Sequence, residues 1–214
     1  LRNYERLAGD PLVVTSLVNA LVILAVQVPL MIGLALVLAV VLNQSWLRFR
    51  DGFRVVYFLP AVTTLVAYSI VFRVLLRTDS GVVNQLLGVV GVAPIDWLND
   101  PIWARVALIA SITWRWTGYN MVILLAGLQA IPRETFEAAA IDGADERATF
   151  RRVTVPLLRP VILFTLVTST IGTLQLFDES WILTRGGPAK APPRGQPPGA
   201  ARNWCAPRSR PGYA

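Results

Sequence analysis

Residues 11–47 read PLVVTSLVNALVILAVQVPLMIGLALVLAVVLNQSWL, without one charged side chain. A helix that crosses a bilayer needs about 20 mainly apolar residues to span a hydrocarbon core about 30 Å thick. The run exceeds that, and we place a first helix near 16–42. Pro29 should bend rather than break it, because neighbouring groups in a bundle re-satisfy the carbonyl that a proline frees. Composition extends the reading to the whole chain, which is 54% hydrophobic and 15% charged, against about 45–50% and about 25% for an ordinary soluble domain.

Three more stretches read as crossings. Val55 to Phe72 is uncharged, just long enough, and interrupted by Pro60; about Trp103 to Ile131 is apolar apart from Arg115; about Pro160 to Phe177 is stopped by Asp178 and Glu179. The fold class is therefore an all-α polytopic transmembrane bundle of about four spans. A secretory signal peptide does not fit, since Arg2, Glu5, Arg6 and Asp10 mix both signs and the first helix exceeds the roughly 7–15 residues of an h-region. The chain begins at Leu1 rather than methionine, and the expectation is that earlier sequence is missing.

Cytoplasmic loops retain arginine and lysine, which orients the spans. Arg48, Arg50 and Arg54 crowd one loop, and Arg133, Arg147, Arg151, Arg152 and Arg159 follow the third span; both segments belong inside. The loop 73–105 mixes Arg73, Arg77 and Arg105 with Asp79, Asp96 and Asp100 and suits the outer face. Arg115 invites two readings, either snorkelling toward the headgroups or a structural partner inside, with a water-filled cavity as the alternative.

Much chemistry is excluded. There is no histidine and the one cysteine is Cys205, so a Cys/His zinc site and histidine-based catalysis have no residues to work with. A membrane-embedded enzyme would need paired catalytic groups at depth, and the spans show none. Five of the basic residues responsible for the net charge of +7 lie in 186–214, which argues against a nucleic-acid surface on the remainder.

The informative segment is 132–160, PRETFEAAAIDGADERATFRRVTVPLLRP. Glu134 to Ile141 is rich in strong helix formers, and Gly143 can adopt the positive φ that ends a helix. A second helix is expected over about Asp145 to Val153, with acids at its start and Arg151 and Arg152 near its end as the macrodipole favours, stopped or kinked by Pro156. Two short helices at an angle would project with an alanine face that lets another protein approach closely.

Glu137-Ala138-Ala139, three residues, Gly143, nine residues, then Val153-x-Val155-Pro156 resembles the EAA loop of ATP-binding-cassette importer permeases. Phe58-Leu59-Pro60, Trp116-Thr117-Gly118-Tyr119-Asn120, Gly127 to Pro132 and Thr184-Arg185-Gly186-Gly187-Pro188 resemble its carbohydrate branch, akin to the maltose, lactose and glycerol-3-phosphate permeases. The resemblance implies that Glu137, Ala138, Ala139, Asp142, Gly143 and Pro156 form a coupling helix docking on a separate ATPase. It also implies a substrate path near Trp114, Gly118, Met121, Ser169, Gly172, Thr173 and Leu176. The alternative for these last residues is helix packing and interfacial aromatic belts. Further implications are a second permease, an ABC ATPase dimer carrying the ATP and magnesium, an extracytoplasmic solute-binding protein, a sugar substrate, and a multi-pass place in a bacterial inner membrane, with no cofactor on this chain. No GxxxxGK[ST] loop occurs, so the chain is not expected to be an enzyme.

Residues 1–188 are expected to form the permease domain, incomplete relative to the family. Residues 189–214 are basic and rich in proline and glycine, a composition that builds no core. The abrupt change suggests a frameshift in a high-GC gene, since arginine outnumbers lysine 19 to 1. A nonfunctional truncated product and a genuine tail that binds anionic lipid or a partner are the competing readings.

Overall fold

The computed structural model describes residues 11–44 and 46–175. Leu176, the acidic stop at Asp178 and Glu179, the Thr184–Pro188 motif and the 189–214 tail lie outside the described residues. Among the described residues the structure is helical without strands. In chain order the elements are α1 (Pro11–Asn43), α2 (Arg50–Val62), α3 (Leu65–Leu75), α4 (Val82–Val89), α5 (Pro101–Gln129), α6 (Arg133–Ile141), α7 (Glu146–Thr149), a π-helical turn (Phe150–Thr154) and α8 (Val155–Leu174).

The first helix forms as expected and continues through Pro29. One of its faces carries Ile23, Gln27, Val28, Met31, Ala35, Ala39 and Leu42, all buried, and the opposite face exposes Val14, Leu17, Leu21, Leu30, Leu34, Val37 and Val41. The inward stripe meets α5: Ala35 and Ala39 share a core with Met121, Leu124, Leu125 and Leu128 of α5 and Leu158 of α8. Small residues four apart let helix backbones approach where no hydrophobic force distinguishes a neighbouring helix from lipid.

The second expected span is not one helix. It breaks between α2 and α3 with a 97° bend, and the reason lies after Pro60. Thr63 and Thr64 are extended, with ψ of 144° and 146°. The Thr63 hydroxyl donates to the Pro60 carbonyl at 2.6 Å, and the Thr64 hydroxyl accepts from the Ala67 amide at 3.4 Å. Each threonine thus offers the backbone an alternative to the helical ladder. By length and apolar composition two helical stretches qualify as spans, Val13–Asn43 and Glu146–Leu174, and three if the bent pair crosses once. The α5 helix has 29 residues, about 43 Å at 1.5 Å per residue. It is long enough to cross but carries more polar residues, which it turns inward.

Asp100 starts α5 by accepting from the Ile102 and Trp103 amides at 2.8 and 3.1 Å, with Pro101 in the first turn. The preceding loop has an order that its composition did not disclose. Asn84 on α4 uses both amide protons, to the Thr78 and Ile95 carbonyls, and its oxygen accepts from the Ile95 amide and the Trp97 indole.

The α5 helix meets α2 at Gly118. A Cβ there would collide with the Tyr57 carbonyl, which is backbone and cannot swing aside. Replacing Gly118 by alanine should therefore lower stability in detergent by about 1–3 kcal/mol. Gly33→Ala, which meets open space, should leave it unchanged or raised. Thermal or denaturant unfolding of the two variants checks this.

Candidate functional site

Helical spacing places Gln27 and Met31 on one stripe of α1, and the same 3.6-residue logic aligns Trp116 and Asn120 on α5 and Ser169, Gly172 and Thr173 on α8. These three stripes, with Tyr119 and Thr168 at the edge, enclose a cavity of about 280 Å³, near the low end of the range for ligand pockets. None of its lining residues is charged.

Hydrogen bonds across the cavity wall tie the three helices together. The Thr173 hydroxyl lies 3.0 Å from Gln27 Oε1 and 2.8 Å from the Ser169 carbonyl, able to donate to either. Ser169 Oγ donates to Asn120 Oδ1 at 3.4 Å, while Asn120 Nδ2 donates to the Trp116 carbonyl at 3.1 Å. Gln27 Nε2 lies 3.2 Å from the Met31 sulfur. Gln27 is 1% exposed, so its amide must find its partners inside the protein. Other hydroxyls in the spans, those of Ser111, Thr117, Thr165 and Thr168, return to carbonyls of their own helices.

Arg115 does not snorkel. It is 9% exposed and donates from Nη2 to the Thr63 carbonyl at 3.2 Å, at the break between α2 and α3. Its guanidinium carbon lies 4.6 Å from the Tyr68 ring centroid and 5.1 Å from that of Trp116, within range of cation–π attraction. The side chain turns inward, as the structural reading expected, and the group it serves is a backbone carbonyl at the broken helix, where the sequence suggested an acid.

The residues proposed from the sequence for a substrate path divide. Ser169, Gly172 and Thr173 line the cavity. Gly118 is spent on the close approach to Tyr57, and Met121 is fully buried in the α1–α5–α8 core. Trp114 is half-exposed and packs edge-on against Phe72, ring centroids 5.4 Å apart. Gln27 was not singled out, although an amide in a long uncharged run is a signal of its own at membrane depth.

At the far end of α8 lies the elbow. The α6 helix ends at Asp142, and Gly143 turns the chain with φ of 74°, as expected. Asp145 then accepts from the Ala148 amide at 2.7 Å to start the next helix. Ala139, Asp142 and Gly143 border one concavity of about 400 Å³, and Glu137 and Ala138 are exposed on the preceding helix. Pro156 does not stop the second helix. The π-helical turn Phe150–Thr154 widens the ladder by one residue, the Val155 amide bonding to the Phe150 carbonyl, and places Pro156 in the first turn of α8, where its missing N–H costs little. A single helical stretch therefore runs from Glu146 to Leu174, from the elbow to the cavity.

The described helices thus form a bundle with an uncharged, mostly apolar cavity among α1, α5 and α8 and a charged elbow at the root of α8. The chain belongs to the family of binding-protein-dependent transport system inner membrane components, whose model matches residues 11–188. It is 52% identical to the lactose transport system permease protein LacF of Rhizobium radiobacter over 88% of this chain and 64% of that one. It is 35% identical to the arabinooligosaccharides transport system permease protein AraP of Bacillus subtilis, over 86% and 58%, and to the trehalose/maltose transport system permease protein MalF of Thermococcus litoralis, over 89% and 64%. The chain thus spans about three fifths of the length of these relatives. Its fold matches the crystal structure of a bacterial ABC transporter involved in the import of the acidic polysaccharide alginate, with a TM-score of 0.77 at 24% identity over 86% of this chain and 65% of that one.

The Gln27–Thr173 contact joins α1 and α8, two of the three helices around the cavity. In a double-mutant cycle with Gln27→Leu and Thr173→Val, unfolding in detergent should show a coupling of about 0.5–1.5 kcal/mol, the range of buried hydrogen bonds between membrane helices. Strictly additive losses would show that the contact joins nothing.

Proposed function

We propose that this chain acts as a permease subunit of an ATP-driven sugar importer in a bacterial inner membrane. It forms part of the translocation path and takes its driving motion from a separate ATPase through the 134–156 segment. The observation that carries the reading is the continuous helical stretch from Glu146 to Leu174, which joins the elbow to the cavity wall through the π-helical turn and past Pro156 and Pro160. A continuous helix couples its two ends, so a displacement beside Gly143 is passed toward Ser169 and Thr173.

The cavity supports a neutral sugar. Trp116 and Tyr119 bring aromatic rings beside the Asn120 and Gln27 amides and the hydroxyls of Ser169 and Thr173, the combination that stacks on a pyranose face and hydrogen-bonds its hydroxyls. An anionic substrate would find no opposite charge there. Names of relatives agree on the class, covering lactose, arabinooligosaccharides and trehalose/maltose.

On this reading the exposed elbow residues Glu137, Ala138, Asp142 and Gly143 face the cytosol and contact an ATPase dimer that holds ATP and magnesium, with Ala139 buried behind them and Pro156 at the root of the lever. A second permease completes the path. A solute-binding protein would deliver sugar at the 76–100 loop, which the Asn84 bonds and the Trp97–Trp103 ring contact at 4.9 Å hold in one shape. One related transporter of the same fold was solved in complex with an alginate pentasaccharide-bound periplasmic protein.

Co-expression with the neighbouring ATPase and permease tests the proposal. Glu137→Arg and Gly143→Val should each weaken ATPase co-purification about tenfold, equivalent to about 1.4 kcal/mol, and abolish uptake of whichever of labelled lactose, maltose or arabinose oligosaccharides the native complex transports. Undiminished co-purification and uptake in both variants would contradict the coupling role.

A further inference from the structure

A second cleft, of about 430 Å³, opens where four helix ends meet: Asn43 closes α1, Arg50 and Arg54 begin α2, Gln129 closes α5, and Arg133 begins α6. Three arginines and no carboxylate line it. Arg54 donates to Asp51 at 2.8 Å, the one ion pair among the described residues, and its side chain is 27% exposed. Its Nε is buried without a hydrogen-bond partner in the protein. Arg50 and Arg133 are exposed and have no acidic partner among the described residues.

The surroundings are apolar in a way that soluble surfaces are not. Trp46, Phe49 and Phe53 are 72%, 82% and 45% exposed. Phe49 stands in the left-handed region at φ 62°, unusual for a bulky residue, so backbone strain accompanies a ring left exposed among the described residues. Val55, Val56 and Leu59 are exposed on the opposite face of α2, about half a turn around the helix from Arg50 and Arg54. Arginines at a helix end with exposed aromatic rings beside them match the head of an anionic amphiphile at the membrane interface. A free phosphate or a soluble acidic protein would use the arginines and leave the exposed rings unexplained.

We propose that this cleft binds the phosphate headgroup of an anionic phospholipid between Arg50, Arg54 and Arg133, beside the exposed rings of Trp46, Phe49 and Phe53. The site tethers the root of α6 and the broken span to the headgroup layer. It is independent of the sugar-import reading, because it needs only that this end of the bundle lies at a membrane surface.

Native mass spectrometry of the purified full chain, incubated with phosphatidylglycerol or with phosphatidylcholine of the same acyl chains, reads the site directly. Phosphatidylglycerol should be retained in preference. The preference should fall about fivefold for Arg50→Gln and again for Arg133→Gln, both exposed positions whose replacement leaves the fold intact. Arg77→Gln and Arg159→Gln, outside the cleft, should leave it unchanged. Equal retention of the two lipids, or a preference that survives the Arg50→Gln/Arg133→Gln pair, would overturn the proposal. So would complete displacement of the lipid by millimolar inorganic phosphate, which would mark a site for a free anion. An ATPase whose association is weakened by the pair while lipid retention is not would assign the cleft to that protein instead.

Discussion

Each polar group that enters a bilayer must be satisfied by the protein itself, and α5 concentrates that demand. Ser111, Thr113, Arg115, Thr117 and Asn120 are all buried on it. The helices around it answer part of the need, while the Thr113 hydroxyl has no hydrogen-bond partner among the described residues. Thr63 at the broken span receives the Arg115 guanidinium, Met31 and the stripe of α1 cover Asn120, and Ser169 of α8 donates to the same side chain. The bundle is organised around a helix that turns its polar stripe inward and exposes Ile102, Val106 and Trp114 on its other face.

The same demand explains why the cavity sits among α1, α5 and α8. Gln27, Asn120, Ser169 and Thr173 already exchange hydrogen bonds across it, so a polar ligand entering there would substitute its hydroxyls for groups that are adaptable rather than locked in backbone ladders. Since α8 continues through the π-helical turn to Glu146, the wall of the cavity and the start of the helix beside the Gly143 turn lie on one continuous helical stretch. The π-helical turn at Phe150–Thr154 is the local device that carries the helix past Pro156 instead of ending it there.

Much of this was legible in the chain. The uncharged run of α1, the Gly143 turn and the Asp145 start follow from local rules, because apolar length, positive φ and a capping carboxylate act within a few residues. The break at Thr63–Thr64 was less legible, since Pro60 alone drew attention and the two threonines act through hydrogen bonds that only a tertiary partner, Arg115, completes. Spacing on one helix also does not say which face is turned inward. Gly118 and Met121 lie within a turn or so of Trp116 and Asn120, yet contact helices rather than the cavity. The order imposed by Asn84 on the outer loop depends on carbonyls eleven and six residues away, which no periodicity encodes.

The account requires that the two ends of the bundle face opposite compartments, with the Gly143 elbow beside the motor and the Asn84 loop beside the solute supply. Impermeant-maleimide labelling in intact cells tests this most directly, using Ala140→Cys and Ser80→Cys, both exposed positions, each in a Cys205→Ser background that removes the one native thiol. Modification of position 80 in intact cells, with position 140 modified only after permeabilisation, is the predicted result. Modification of position 140 from outside would contradict the orientation and with it the transmission of force through α8.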